Sequence, residues 1–93
     1  MPVIDVKRSH ALGKEAARHG VQQVAEKLQD ELKAKCHWEG DSLIFACPGA
    51  DGRITVNDSE VAVKVHLSWL LSPLHGRIEA SIRGYLDEYL GAS

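Results

Sequence analysis

The chain has 93 residues, 44% of them hydrophobic, which is enough for one small core and leaves no room for two ordinary domains. Its formal net charge of -2 excludes a global positive field of the kind that holds nucleic acid or an anionic membrane. No uninterrupted apolar run approaches the roughly 20 residues of a membrane-spanning helix.

Two elements are predicted in the first third of the chain. Residues 3–8 contain β-branched side chains around a charge at Asp5, a pattern typical of a short strand at a sheet edge. From Lys14 to Lys35 apolar residues recur at 3-4 spacing, which predicts an amphipathic helix with Gly13 at its N-cap. The apolar stripe consists of Ala17, Val21, Val24, Ala25, Leu28 and Leu32.

Three strands are predicted in the middle of the chain. The first spans residues 37–46, where Gly40 and Asp41 interrupt the alternation, so we expect a bulge or a kink. The second spans residues 53–56, between turns at 48–52 and 57–59. The third alternates without a fault from Val61 to Trp69, with Lys64, His66 and Ser68 among its outward residues and Trp69 as its last inward residue. If the alternation continues, Leu70 faces the open side of the sheet.

A second helix is predicted after this strand. Ser72 followed by Pro73 is typical of a helix start, because the hydroxyl caps free N–H groups and proline suits the first helical position. The helix is expected to run to about Leu90 and to end at Gly91. Its inward stripe is Leu74, Ile78, Ile82, Tyr85, Leu86 and Tyr89. The predicted fold is therefore α+β, in the order β-α-β-β-β-α, with two amphipathic helices packed on one face of an antiparallel sheet.

The compartment follows from the cysteines and from the N-terminal residues. Cys36 and Cys47 are far fewer than a disulfide-stabilised scaffold needs, and charges fall where a signal peptide has its apolar run. We therefore expect a single domain over residues 1–93, located in the cytoplasm, with free thiols.

No catalytic, cofactor or metal site is predicted. Cys36, His37 and Cys47 lack the paired spacing of structural zinc ligands, and no glycine-rich phosphate loop is present. His75 and Arg77 fall near the free N–H groups at the start of the second helix, where an anion could bind, although solvated polar residues beside a cap are the more common case.

Small residues on the first helix leave one alternative open. Gly20 lies on or beside the buried stripe, and glycine inside a helix costs stability, so something must approach the backbone closely there. Contact with the second helix or with the sheet is the simpler explanation. A groove that holds an acyl or hydroxyacyl chain is the alternative.

Four segments of the chain carry a resemblance to a known family. They are "HALGKEA" (His10 to Ala16), "WEGDSLIF" (Trp38 to Phe45), "GRITV" (Gly52 to Val56) and "LLSPLHGRIEASI" (Leu70 to Ile82). In this order they resemble the polyhydroxyalkanoic acid system family, small bacterial proteins encoded near genes for making and storing polyester granules. The resemblance covers nearly the whole chain; Gly13 stands where a serine cap is expected. The family carries no established catalytic residues, so none is transferred.

The resemblance implies a non-catalytic accessory protein of polyhydroxyalkanoate storage that contacts the granule surface or granule-associated proteins. The candidate contact residues are Lys64, His66, Leu70, His75 and Arg77. One alternative is a nucleic-acid-binding regulator, since the α-β-β-β-α order resembles double-stranded-RNA-binding domains. Those domains carry lysines at the start of the last helix, which this chain lacks, so no nucleic-acid partner is expected. A small acyl-chain-binding protein is a further alternative, and the oligomeric state stays open.

Overall fold

The computed structural model describes residues 3–90, which form five strands and two long helices. The elements are β1 (Val3–Ser9), α1 (Lys14–Leu32), β2 (Lys35–Glu39), β3 (Ser42–Cys47), β4 (Ala50–Val56), β5 (Glu60–Leu67) and α2 (His75–Leu90), with a single 3-10 turn at Ser72–Leu74 before α2. The predicted α+β class is confirmed, with one strand more than expected. Gly91, expected to end α2, lies outside the described residues.

The five strands form one antiparallel sheet in the order β1-β5-β4-β3-β2. β1 and β2 are the edge strands, as expected for the first segment. Alternate residues of the three inner strands point to the same side, and on that side Val63 faces Val6 and Ile54 in the register. These side chains are almost fully buried, so one face of the sheet forms the floor of the core.

The fifth strand arises from a tight hairpin at Gly40 and Asp41. Glu39 pairs with Ser42, so only two residues connect β2 to β3, and Gly40 has a positive φ of 62°. Glycine at the first position of a two-residue hairpin loop adopts this conformation without strain. The predicted bulge is therefore wrong: residues 37–46 belong to two strands that fold back on each other.

Both helices cover the buried face of the sheet. α1 packs against β3 and β4, while α2 packs against β1 and against α1. The buried residues of the helices are Ala17, Gly20, Val21, Val24, Ala25 and Leu28 on α1, and Ile78, Ile82, Leu86 and Leu90 on α2. α1 ends three residues before the predicted Lys35, at Leu32, because Lys33 adopts the left-handed conformation that closes a helix.

The two helices meet closely at Gly20. A Cβ atom on Gly20 would lie 2.7 Å from the backbone oxygen of Tyr89 and 2.8 Å from Cδ2 of Leu90. The simpler explanation for this glycine is confirmed, and the acyl-chain groove expected as its alternative is wrong at this position, since α2 fills the space. Farther along the interface, Glu31 accepts hydrogen bonds from Ser81 (3.1 Å) and from Tyr85. The bond to Glu31 raises the pKa of Tyr85 to about 12.

The end of β5 differs from the prediction. The strand stops at Leu67, and the N–H of Ser68 donates to the carbonyl oxygen of Gly49 (2.8 Å) as the chain begins to turn. Trp69 is consequently 80% exposed, so its predicted place in the core is wrong. Leu74, predicted as the first core residue of the helix, is 42% exposed. Ser72 is the first residue of the 3-10 turn, whose N-cap is Leu71, so the predicted capping role of Ser72 is wrong.

Candidate functional site

The connection between β5 and α2 displays three large apolar side chains to solvent. Trp69, Leu70 and Leu74 are 80%, 59% and 42% exposed, and we call them the apolar corner. Leu71 between them is anchored instead, since its Cγ lies 2.9 Å from where a Cβ on Gly49 would be. Isolated exposed apolar residues are common, but three within six residues form a local patch, which is typical of contact surfaces.

Hydrogen bonds hold the apolar corner in shape. The N–H of Leu70 donates to Oγ of Ser68 (3.2 Å), and the N–H of Leu71 donates to the carbonyl oxygen of Ser68 (3.1 Å). The N–H of Leu74 donates to the carbonyl oxygen of Leu71 (2.9 Å). The exposed side chains are therefore presented by a folded turn, which lowers the entropy that binding would cost.

The face of the sheet that the helices leave uncovered forms a second surface. A shallow groove of about 610 Å³ runs over β4 and β5, and we call it the open-face groove. Its lining comprises Asp5, Lys7, Ile44, Asp51, Gly52, Arg53, Thr55, Ala62, Val63, Lys64 and His66. At its centre Arg53 and Lys64 stand directly opposite each other on neighbouring strands.

The five predicted contact residues fall into these two regions of the surface. Lys64 and His66 lie on the open face of β5, as the alternation predicts, and both are exposed. Leu70 is exposed as expected, but it belongs to the turn after the strand and not to the strand's open face. His75 and Arg77 lie in the first turn of α2, next to Leu74, with His75 half-buried and Arg77 exposed.

Sequence reasoning misses two members of the apolar corner and one cation of the groove. The alternation and the helical stripe place Trp69 and Leu74 in the core only because each pattern is extended a few residues too far. A signal was available for Trp69, since Trp69, Leu70 and Leu71 are three successive apolar residues that break the alternation. Arg53 alternates with the inward Ile54 and Val56, which places it on the open face like Lys64. Lys7 carries no such signal, because only the strand order places it beside Lys64.

The residue types of a catalytic triad occur near the end of β5, in His66, Asp51 and Ser68. Their side chains do not have the geometry of a triad. Nδ1 of His66 lies 4.0 Å from Oδ2 of Asp51, beyond hydrogen-bonding distance. Oγ of Ser68 accepts the N–H of Leu70, and within residues 3–90 no hydrogen bond joins Ser68 to His66. The three side chains are therefore not joined into a hydrogen-bonded triad in this structure.

Cys36 and Cys47 are half-buried free thiols. Burial raises the pKa of both the Cys36 and the Cys47 thiol, which disfavours the reactive thiolate. In the described part of the chain, no three His, Cys, Asp or Glu side chains come together as a metal site would require.

The W-x-G-D segment has a structural role that fixes the β2–β3 hairpin to α1. Nε1 of Trp38 donates to Gln22 (2.8 Å), and the guanidinium of Arg18 lies 4.5 Å from the Trp38 ring centroid. Asp41 accepts hydrogen bonds from Lys14 (2.9 Å) and Arg18 (3.4 Å). The hydrogen bond with Lys14 lowers the pKa of Asp41 and raises the pKa of Lys14.

These observations define a small two-layer α+β protein with two distinctive solvent-exposed surfaces, the apolar corner and the open-face groove. Neither helix in residues 3–90 is long and apolar enough to cross a membrane. The chain belongs to the family described as "Putative polyhydroxyalkanoic acid system protein", whose family model matches residues 4–90. The resemblance is thereby confirmed over nearly the whole chain. Comparison with curated proteins and with solved structures found no match.

Proposed function

We propose that this protein is a non-catalytic accessory protein of polyhydroxyalkanoate storage that works in the cytoplasm and contacts the polyester granule through the apolar corner. Family membership supports the process, and the exposure of Trp69, Leu70 and Leu74 supports the mode of action. The 80% exposed Trp69 is the single observation on which the contact proposal depends. A tryptophan so exposed at the tip of an ordered turn gains most when an apolar surface removes it from water.

The energetics favour a weak and reversible contact. Burial of apolar area contributes about 25 cal/mol per Å², so a fully buried large side chain contributes about 1.5 to 3 kcal/mol. Three side chains that are only partly covered on a flat surface would supply a few kcal/mol in total. Association consumes part of this free energy, so many copies on one granule, or contact with a protein on the granule, would strengthen the attachment.

The residues around the apolar corner suit an interface. Arg77 is exposed and His75 half-exposed at the start of α2, directly after Leu74. Polar side chains that surround an apolar centre are the usual arrangement at a contact surface. His75 and Arg77 therefore form the rim of the proposed contact, whereas Lys64 and His66 belong to the open face.

The principal test is co-sedimentation of purified protein with isolated granules. The variant carries Trp69→Ser, Leu70→Ser and Leu74→Ser together, and it should fold normally because none of the three side chains is buried. Its bound fraction should fall to near background. The matched control is Leu12→Ser, which removes an exposed leucine (46%) at the opposite end of the sheet and should sediment like the parent. Equal sedimentation of all three proteins would rule out contact through the apolar corner.

A second experiment distinguishes the granule surface from the proteins on it. Protein-free polyester particles should bind the parent protein and not the triple variant if the polymer itself is contacted. Binding that requires intact granules, and disappears after their protein coat is removed by protease, would assign the contact to a granule-associated protein. In cells, a fluorescent fusion should be diffuse without polymer and move to granules when polymer accumulates. A diffuse signal in both conditions would contradict granule contact.

A further inference from the structure

The open-face groove contains three cations without carboxylate partners. Arg53 and Lys64 face each other across β4 and β5, and Lys7 lies diagonally beside Lys64 on β1. Within residues 3–90, no carboxylate oxygen lies within 4.0 Å of the charged nitrogens of these three side chains, although four ion pairs of lysine or arginine form elsewhere. Like charges directly opposite each other on neighbouring strands destabilise a sheet, so the pairing of Arg53 with Lys64 by itself opposes folding.

Nearby acids offset the three cations only in part. Asp5 pairs with Lys64 in the register, and Asp51 lies on β4 two residues from Arg53 and diagonal to Lys64, but neither comes within ion-pair distance of these cations. Asp51 lies 4.0 Å from His66 instead. The lining therefore carries three cations and two carboxylates, one positive charge in excess, in a chain whose formal charge is -2.

Small side chains make room between the cations. Ala62 and Thr55 pair opposite each other beside Lys64 and Arg53, and both lie low on the face, half-buried. The half-buried Ile44 provides an apolar wall next to Arg53. The volume of about 610 Å³ falls in the usual range of small-molecule sites.

We propose that the open-face groove binds a small organic anion, whose carboxylate or phosphate group lies between Arg53, Lys64 and Lys7 and whose short apolar body lies along Ile44. The planar guanidinium of Arg53 donates two parallel hydrogen bonds to an oxyanion, and the two lysines add point charges. The hydroxyl of Thr55, 3.3 Å from that of Ser42, donates a further hydrogen bond. An anion placed there replaces the repulsion between Arg53 and Lys64 with attraction. This site is separate from the apolar corner and does not depend on the proposed function.

The test uses NMR titration of the full chain with octanoate, octyl phosphate and inorganic phosphate. Amide signals of β4 and β5 should shift at millimolar concentrations of the two octyl anions, and less with inorganic phosphate, which lacks the apolar body. Arg53→Gln and Lys64→Gln should each weaken binding about tenfold, because each removes a charge-assisted hydrogen bond. The matched control Lys27→Gln, on the exposed side of α1, should bind like the parent.

Lys64→Glu separates binding from folding. It places a carboxylate opposite Arg53 on one side and opposite Asp5 on the other, so the attraction and the repulsion offset each other. The midpoint of thermal unfolding should therefore change little while binding of the octyl anions is lost. An octyl ammonium ion that shifts the same amides equally would show that only the apolar body is recognised and would overturn the proposal. Binding to phosphatidylglycerol vesicles without binding to the soluble anions would assign the face to a lipid surface and would overturn it too. Unchanged affinity of the Lys64→Glu variant for the octyl anions would also overturn the proposal.

Discussion

Gly20 is the point where the backbones of the two helices come closest. In an open helical position, replacing glycine with alanine stabilises a protein by up to about 1 kcal/mol. At Gly20 the new methyl group would overlap the backbone oxygen of Tyr89, which cannot move without shifting α2. Gly20→Ala should therefore destabilise the protein by about 1 to 3 kcal/mol, measured by denaturant unfolding.

Gly84 provides the matched control for this substitution. It also lies in a helix, but nothing would lie within 4 Å of its Cβ, so Gly84→Ala should stabilise the protein by up to about 1 kcal/mol. The expected result is that Gly20→Ala lowers the free energy of unfolding and Gly84→Ala raises it. If both variants stabilise the protein, α2 does not pack against Gly20 and the interface described above is incorrect.

Trp69 is expected to contribute little to folding. The alternation of β5 predicted a core residue whose replacement by alanine would cost about 3 to 5 kcal/mol, but a side chain that is 80% exposed has few contacts to lose. Trp69→Ala and Leu70→Ser should each change the free energy of unfolding by less than about 1 kcal/mol. Phe45→Ala, which empties a fully buried site, should cost about 3 to 5 kcal/mol in the same denaturant melts. A large loss of unfolding free energy in Trp69→Ala would contradict this prediction and would mean that the Trp69 side chain packs in the core.

The error at Trp69 shows where residue patterns stop being informative. Alternation predicts the side on which a residue points only while the chain stays in the sheet. The N–H of Ser68 still bonds to Gly49, as the β4–β5 register requires, and the chain turns directly after it, where the N–H groups of Leu71 and Ser72 bond to the carbonyl oxygens of Ser68 and Trp69. Alternation alone does not show where such a turn begins. Lys7 likewise could not be grouped with Lys64 from sequence, since β1 reaches β5 only through the strand order.

At the scale of elements, the long periodic segments were predictable and the short ones were not. α1 and β5 each present a pattern over many residues, so both were found with nearly correct bounds. The β2–β3 hairpin was read as one interrupted strand, because each strand has only five or six residues and its turn only two. The sequence alone also does not indicate the structural role of Trp38 and Asp41, because their hydrogen-bond partners lie on α1.

The contact between Asp41 and α1 predicts a dependence of stability on pH. The pKa of Asp41 is lower in the folded protein than its ordinary value of 3.8, so its ionised form is stabilised by folding. This contribution is complete above the ordinary pKa and is lost as the pH falls through the lower, folded value. Asp41→Asn should therefore be less stable than the parent at neutral pH.

Denaturant melts of the parent and Asp41→Asn at a series of pH values check this prediction. The difference between the two should stay constant from neutral pH down to about 5 and then shrink as the parent's carboxylate is protonated. Asp30→Asn on α1 is a suitable control, because Asp30 is exposed and forms no ion pair within the described residues. A parent and an Asp41→Asn variant of equal stability at neutral pH would mean that the hairpin is not held to α1 by this ion pair.

For the whole molecule, the two-layer architecture separates the buried core from the two exposed surfaces. The helices bury one face of the sheet and leave the other open, so the fold itself creates the groove. The turn between β5 and α2 lies at the end of the sheet, where neither layer covers Trp69, Leu70 or Leu74. The exposed side chains of these two surfaces are therefore not part of the core. Substitutions at the apolar corner or in the groove can for this reason change binding without changing the stability of the fold.

The overall charge makes a prediction about nucleic acid. The chain has a formal charge of -2, and the start of α2 offers only His75 and Arg77 where double-stranded-RNA-binding domains carry a lysine cluster. On the open face, Asp5 and Asp51 interrupt the cations. Duplex RNA or DNA should therefore bind at physiological salt no more tightly than generic nonspecific association, roughly 10⁻⁴ M or weaker.

Fluorescence anisotropy with a labelled duplex, measured over a series of salt concentrations, tests this prediction. The double substitution Asp5→Lys and Asp51→Lys serves as the positive control, because it turns the open face into a continuous basic surface and should bind more tightly at low salt. A salt-sensitive, nanomolar complex of the parent protein would contradict the prediction. It would also favour binding of the nucleic-acid phosphates by Arg53, Lys64 and Lys7. The assignment of the open-face groove to a small organic anion would then lose its basis.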